Sequence, residues 1–127
     1  MKVANSLKPF SFNYSFARDG GAVGVIPLGV NFLANRYAFS CIIYTKSGLT
    51  GGAGTTISMG TAIDPLLLIN NVPIATFIPN FGINTNFLGF VGFSTLTKEE
   101  IIFTIGIDPV TSGNLSVLII SAEFTGA

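Results

Sequence analysis

The stretch that decides the fold is Phe-Ser-Phe-Asn-Tyr-Ser-Phe, residues 10–16, in which aromatic and small polar side chains alternate strictly. In an extended strand, a period of two places the aromatic groups on one side and the polar groups on the other. The stretch therefore predicts a half-buried β-strand. The side chains expected to face the core or a neighbouring subunit are Phe10, Phe12, Tyr14 and Phe16.

Similar apolar segments, separated by Gly, Asn, Asp and Pro, follow along the rest of the chain. The predicted strands after the first are residues 22–28, 37–44, 55–61, 72–78, 87–93, 101–107 and 115–124. Pro27 marks the second of them as an edge strand or a strand end, because proline cannot donate a hydrogen bond to a neighbour. Seven or eight short strands at this spacing predict an all-β fold, an antiparallel β-sandwich of the jelly-roll kind.

One short helical turn is predicted within this all-β pattern. Asp64 can cap free N–H groups and Pro65 is tolerated at a first helical position, so the turn is expected at Leu66–Ile69. No linker or run of charge divides the chain. We expect one sandwich domain at residues 10–127, preceded by an N-terminal arm at residues 1–9.

The composition is apolar and poorly charged: 49% of the residues are hydrophobic and 9% are charged, against about 25% charged in a typical soluble domain. Six basic and six acidic residues give no net charge and form no basic stripe, which argues against nucleic-acid binding. No apolar run approaches the length of about 20 residues that a membrane-spanning helix needs. Polar residues 5 and 6 interrupt the start of the sequence, so no secretory signal is predicted.

The usual catalytic residues are missing from the sequence. It contains no His, which removes the commonest general base and most zinc sites, and Cys41 lies in an apolar strand pattern without a base. Asp64 and Asp108 precede prolines, while the adjacent Glu99 and Glu100 would point to opposite faces of a strand. We therefore predict no enzymatic activity, no metal and no cofactor.

Several strands carry apolar groups on both faces, although a two-layer sandwich requires only one apolar face from each sheet. The surplus predicts contact with another subunit, because a chain with so little charge has weak electrostatic protection against association. The residues predicted to form this oligomer interface are Ile42, Tyr44, Leu118, Ile120 and Phe124.

Two segments together resemble small β-sandwich structural proteins of tailed bacteriophages. One is GAGTTISMGTAIDPLL at residues 52–67, and the other is the C-terminal strand GNLSVLIISAEF at residues 113–124. The resemblance implies a virion component such as a head-decoration, head-fibre or tail-associated protein, which would assemble as a trimer with other virion proteins. It implies no catalytic residue.

A second reading of the sequence is a glycan- or receptor-binding β-sandwich. Such a module would expose aromatic and amide side chains on its loops, and the candidates are Asn80, Asn84, Asn86 and Phe87. Asparagine in loops more often serves turn geometry, and the absence of Trp disfavours stacking against sugars.

Overall fold

The computed structural model describes residues 2–90 and 92–125, without the side chains of residues 2–6, 87, 124 and 125. The described chain is almost entirely β-structure. Its strands are β1 Lys2–Ser15, β2 Gly24–Phe32, β3 Arg36–Thr45, β4 Thr50–Gly51, β5 Thr56–Thr61, β6 Ile69–Pro73, β7 Phe81–Asn84, β8 Phe93–Thr95, β9 Glu99–Gly106, β10 Val110–Ser112 and β11 Asn114–Thr125.

Nine of the strands form two antiparallel sheets, one of five strands and one of four. The first sheet has the order β1-β11-β3-β7, and β8 continues the fourth position by pairing with the start of β3. The second sheet has the order β2-β9-β5-β6, and β4 and β10 form a separate small ribbon. Consecutive strands β1, β2 and β3 alternate between the two sheets, which is jelly-roll connectivity. The predicted all-β, jelly-roll-like sandwich is confirmed.

The core lies between the sheets and includes the aromatic side chains of β1. Phe12 and Tyr14 are buried, with Phe10 partly buried beside them. The Tyr14 ring stacks on Phe103 of the second sheet, with 4.0 Å between ring centroids, so this pair joins the two layers. The predicted burial of this aromatic face is confirmed for residues 10–14.

Phe16 departs from the expected strand because β1 ends at Ser15 and a four-residue helix, α1 Phe16–Asp19, begins. The Asp19 side chain accepts a hydrogen bond from the Ser15 backbone N–H, which bends the chain into a turn. At the other end of β1, residues 2–9 form the first part of the strand that pairs with β11.

The helical turn predicted at Leu66–Ile69 is wrong. Asp64 does form the expected cap, accepting from Leu66 N–H through its side chain and from Leu67 N–H through its carbonyl. The Leu68 N–H then bonds back to the Met59 carbonyl on β5, so the chain rejoins the sheet before a helix can propagate. Ile69 accordingly begins β6.

The strand predicted at residues 87–93 is also wrong. Phe81–Asn84, expected to be loop, forms β7, and Thr85–Leu88 is a 3₁₀ turn. The turn is held by Thr85, which is fully buried and donates its hydroxyl to the Cys41 carbonyl. The next strand, β8, therefore starts only at Phe93.

Candidate interaction surface

The most distinctive surface of the described molecule is the outer side of the first sheet. Register partners on neighbouring strands share a face, so rows of side chains run across the sheet. One row is Ser11, Leu118, Ile42 and Asn84, the next is Asn13, Ser116, Tyr44 and Gly82, and a third is Pro9, Ile120 and Ser40. None of these residues is charged, and the central strands contribute mainly apolar groups.

A β-bulge enlarges this surface. Ile120 pairs with Ser40 but Ser121 pairs with Ala38, so Phe39 is an extra residue in β3. The bulge turns Tyr37 and Phe39 outward, where their rings stack at 6.4 Å, while Ala38 turns into the core. We define the outer apolar face by the residues Tyr37, Phe39, Ile42, Tyr44, Leu118 and Ile120.

The structure brings four of the five predicted interface residues together on this face. Ile42 and Tyr44 are 38% and 43% exposed, and Leu118 and Ile120 are half-buried beside them. Phe124 lies on the same β11 strand opposite Val3, but its side chain is outside what the structure describes.

Sequence reasoning missed Tyr37 and Phe39. A strict alternation groups them with Cys41 and Ile43, which lie in the core, and groups Ala38 with Ile42 on the outside. The bulge at residues 39–40 reverses that assignment. Nothing in the local sequence marks the bulge, because Phe39 and Ser40 fit an uninterrupted strand equally well.

The outer side of the second sheet is different, because its own chain covers the centre. Ser58 is buried and exchanges hydrogen bonds with Asn71, while the turn at Asp64 and Pro65 lies directly over Gly60. A Cβ atom on Gly60 would overlap the Asp64 carbonyl. Among the described residues, therefore, only the first sheet presents an open apolar centre.

A shallow polar cavity of 320 Å³ lies at the α1 end of the sandwich, with Asn13, Arg18, Lys46 and Asn114 in its lining. The guanidinium of Arg18 is already engaged: it bonds to the Asn13 side chain at 2.6 Å and to Asp19 at 2.8 Å. Arg18 in turn holds the pKa of the Asp19 carboxyl below its usual value. The cavity thus lacks a free cation at Arg18 with which to attract a ligand.

The loop amides proposed as glycan contacts serve the local chain geometry. The Asn84 side chain accepts from the Asn86 N–H at 3.0 Å, and the Asn86 amide donates to the Phe90 carbonyl at 3.2 Å. Asn80 has a left-handed backbone conformation, with φ of 56°. The Phe87 side chain lies outside the described part of the chain.

The chemically reactive groups are dispersed. Cys41 is buried, and this burial raises its pKa to about 12. Within the described residues, no three or more His, Cys, Asp or Glu side chains are grouped so that they could hold a metal. No helix in that part of the chain is long and apolar enough to cross a membrane.

Comparison with solved structures finds the same fold in chains from three bacteriophage capsids. In the cyanophage Pam1 capsid asymmetric unit, a chain matches with a TM-score of 0.61 and 13% identity, covering 94% of this chain and 85% of that one. In the acidic stable capsid structure of Helicobacter pylori bacteriophage KHP30, a chain matches with a TM-score of 0.62 and 10% identity, covering 98% of this chain and 94% of that one. In the capsid of Ralstonia phage GP4, a chain matches with a TM-score of 0.63 and 15% identity, covering 98% of this chain and 88% of that one. No protein-family model and no curated protein sequence matches the chain.

Proposed function

We propose that this chain is a non-enzymatic structural protein of a bacteriophage virion, a subunit of an oligomer that decorates the capsid. The observation that carries the proposal is the extent of the structural match, because nearly the whole chain superimposes on chains from three different phage capsids. All three neighbours come from capsids, which favours the head over the tail as the place of assembly.

The size of the matched chains supports a decorating role. Each match covers 85–94% of the neighbour and 94–98% of this chain, so the neighbours are single domains of about the same length. A jelly roll of this size suits a small accessory component that binds on a larger shell.

The outer apolar face supplies the surface for assembly. The whole outer side of the first sheet, with the outer apolar face at its centre, has four strand positions about 4.8 Å apart, and residues 37–44 extend about 26 Å, so this side covers on the order of 500 Å². Two such sheet surfaces together approach the area of about 1,000 Å² that a specific interface needs. Because the flanking positions in the register rows of the outer apolar face are Ser11, Asn13 and Asn84, no charged side chain lies within these rows, and a second copy can approach over them without like-charge repulsion.

The non-enzymatic part of the proposal rests on how the acidic residues are used. Asp19 pairs with Arg18, Glu123 pairs with Lys8, and Glu99 accepts a hydrogen bond from Thr61. Asp64 caps a turn, and Asp108 packs beside Gly52. We expect hydrolase and glycosidase panels to give background rates; turnover that Asp64→Asn or Asp108→Asn abolishes without unfolding the protein would contradict this expectation.

The direct test is to locate the chain in particles of the phage that encodes it. Mass spectrometry of purified virions should detect the chain at high copy number, and a cryo-EM map should contain its sandwich on the outside of the capsid. Absence of the chain from virions purified through a density gradient would overturn the proposal.

The receptor-binding alternative predicts a different pattern. A glycan-binding module would give specific, saturable signals on a glycan array and would lie at fibre or tail tips in the cryo-EM map. The structural role predicts no such signal and a regular distribution over the head.

A further inference from the structure

Arg36 carries a buried positive charge that no ion pair neutralises among the described residues, at one end of the sandwich. It begins β3 and is only 6% exposed, on the core side of the strand with Ala38. Its guanidinium nitrogens Nε and Nη1 are buried and have no hydrogen-bond partner among the described residues. A guanidinium remains protonated in proteins, so the positive charge persists at this site.

The position of Arg36 is firmly fixed by its surroundings. Its backbone N–H donates to the Thr95 hydroxyl, which in turn donates to the Leu33 carbonyl at 2.7 Å. Thr95 is buried, so the start of β3 is tied to both β8 and the turn of residues 33–35. The burial of the guanidinium therefore belongs to the fold and is not an effect of a loose loop.

No carboxylate of this chain neutralises the site. All six acidic residues lie within the described part, where the ion pairs are Lys8–Glu123 and Arg18–Asp19. Glu123 is the register partner of Arg36, yet its carboxylate contacts Lys8 at 3.7 Å. Glu99, at the same end of the sandwich beside Phe32, accepts its hydrogen bond from Thr61.

We infer that Arg36 is a binding site for an oxyanion supplied from outside the chain. A buried unpaired charge is strongly unfavourable, and charge-assisted hydrogen bonds from a guanidinium to a carboxylate, sulfate or phosphate group remove that penalty. Arg36 directly follows the turn at residues 33–35, in which Leu33 and Asn35 are exposed, so we place the approach of the anion at this end of the sandwich. A carboxylate on a protein subunit that adjoins this end of the sandwich and a free inorganic anion are the two sources of this chemistry.

The first arm of the test measures thermal unfolding with increasing sodium sulfate against sodium chloride at equal ionic strength. A free oxyanion site predicts a saturable rise in wild-type Tm of roughly 4–8 °C at about ten times the Kd. Arg36→Met should lose this rise. The matched control Arg18→Met should keep it, because Arg18 is exposed and already paired with Asp19.

The second arm measures the mass of the protein by light scattering as its concentration increases. A carboxylate from a neighbouring copy predicts a wild-type assembly that sulfate dissociates and that Arg36→Met does not form. If Arg36→Met does not fold, Arg36→Gln provides the same comparison, since it keeps amide donors without the charge.

Identical responses of wild type and the Arg36 variants in both arms would overturn the inference. This outcome is separable from failure of the proposed capsid role. A chain absent from virions would still show the sulfate response at Arg36, and a capsid protein without this site would not.

Discussion

Tyr14 shows how one side chain connects the sequence pattern to the packed core and to the turn beyond it. Its ring is fully buried against Phe103, while its hydroxyl donates to the Gly20 carbonyl just after α1. Burial, together with the nearby negative charge of Asp19, raises the Tyr14 pKa to about 12. The neutral phenol is thus the form that the fold stabilises.

This shift predicts a stability change at alkaline pH. The folded-state pKa lies above the ordinary value of 10.0, so the contribution is complete below pH 10 and is lost as pH rises through about 12. We expect the wild-type free energy of unfolding to fall by roughly 2–3 kcal/mol more across this range than that of Tyr14→Phe. Urea denaturation at each pH measures the difference, and parallel curves for the two proteins would contradict it.

Cys41 is predicted to be unreactive in the folded protein. It is fully buried in β3, and the same burial that raises its pKa to about 12 keeps the nucleophilic thiolate scarce at neutral pH. A thiol reagent such as iodoacetamide should label it only as fast as the fold opens, but rapidly in urea. Mass spectrometry follows the labelling; complete modification of the native protein within minutes would show that the β3 assignment is wrong.

At the scale of elements, the sequence predicted strands wherever the alternation was long and regular. β1, β3, β9 and β11 were all anticipated, because each strand, apart from the bulge in β3, packs one regular face against the core. The sequence did not predict the bulge at Phe39, nor the return of Leu68 to β5, because contacts with distant strands determine both. The predicted interface therefore lacked Tyr37 and Phe39.

The turn that covers the second sheet predicts how a substitution at Gly60 changes the stability of the protein. Gly60→Ala should destabilise the protein by at least about 1–3 kcal/mol, because its new Cβ atom would overlap the Asp64 carbonyl and push the turn off β5. Gly82→Ala is the matched control. Its Cβ atom would meet only Tyr44, at 3.9 Å, so its stability should stay within about 0.5 kcal/mol of wild type. Equal denaturation midpoints for the two variants would show that the turn does not lie on Gly60.

Strand β1 provides another prediction, on the stability of the core. Phe12→Ala should cost about 3–5 kcal/mol, since Phe12 is buried between the sheets, whereas Ser11→Ala on the outer side should be nearly neutral. Chemical denaturation measures both variants. An unchanged midpoint for Phe12→Ala would mean that this face is exposed to solvent.

At the scale of the whole molecule, the two sheets have different outer sides. The centre of the second sheet is covered by its own turns, while the first sheet exposes the outer apolar face between uncharged Ser and Asn residues. A molecule with equal numbers of acidic and basic groups has little net charge to keep copies apart. From this asymmetry we expect association through one side of the sandwich, the outer side of the first sheet.

The last prediction is that the protein forms a closed homo-oligomer, a trimer, through the outer apolar face. Closed symmetry would bury this face in every copy without leaving a free end for fibre growth. Ile42→Glu places a charge at the centre of the face and should shift the protein to monomer, while Val25→Glu, at an exposed apolar position on the other sheet, should leave the assembly intact. Light scattering coupled to gel filtration measures the mass, with circular dichroism to confirm folding. A wild-type mass of 13.3 kDa at micromolar concentration would contradict assembly altogether, and a stable dimer would contradict only the trimer.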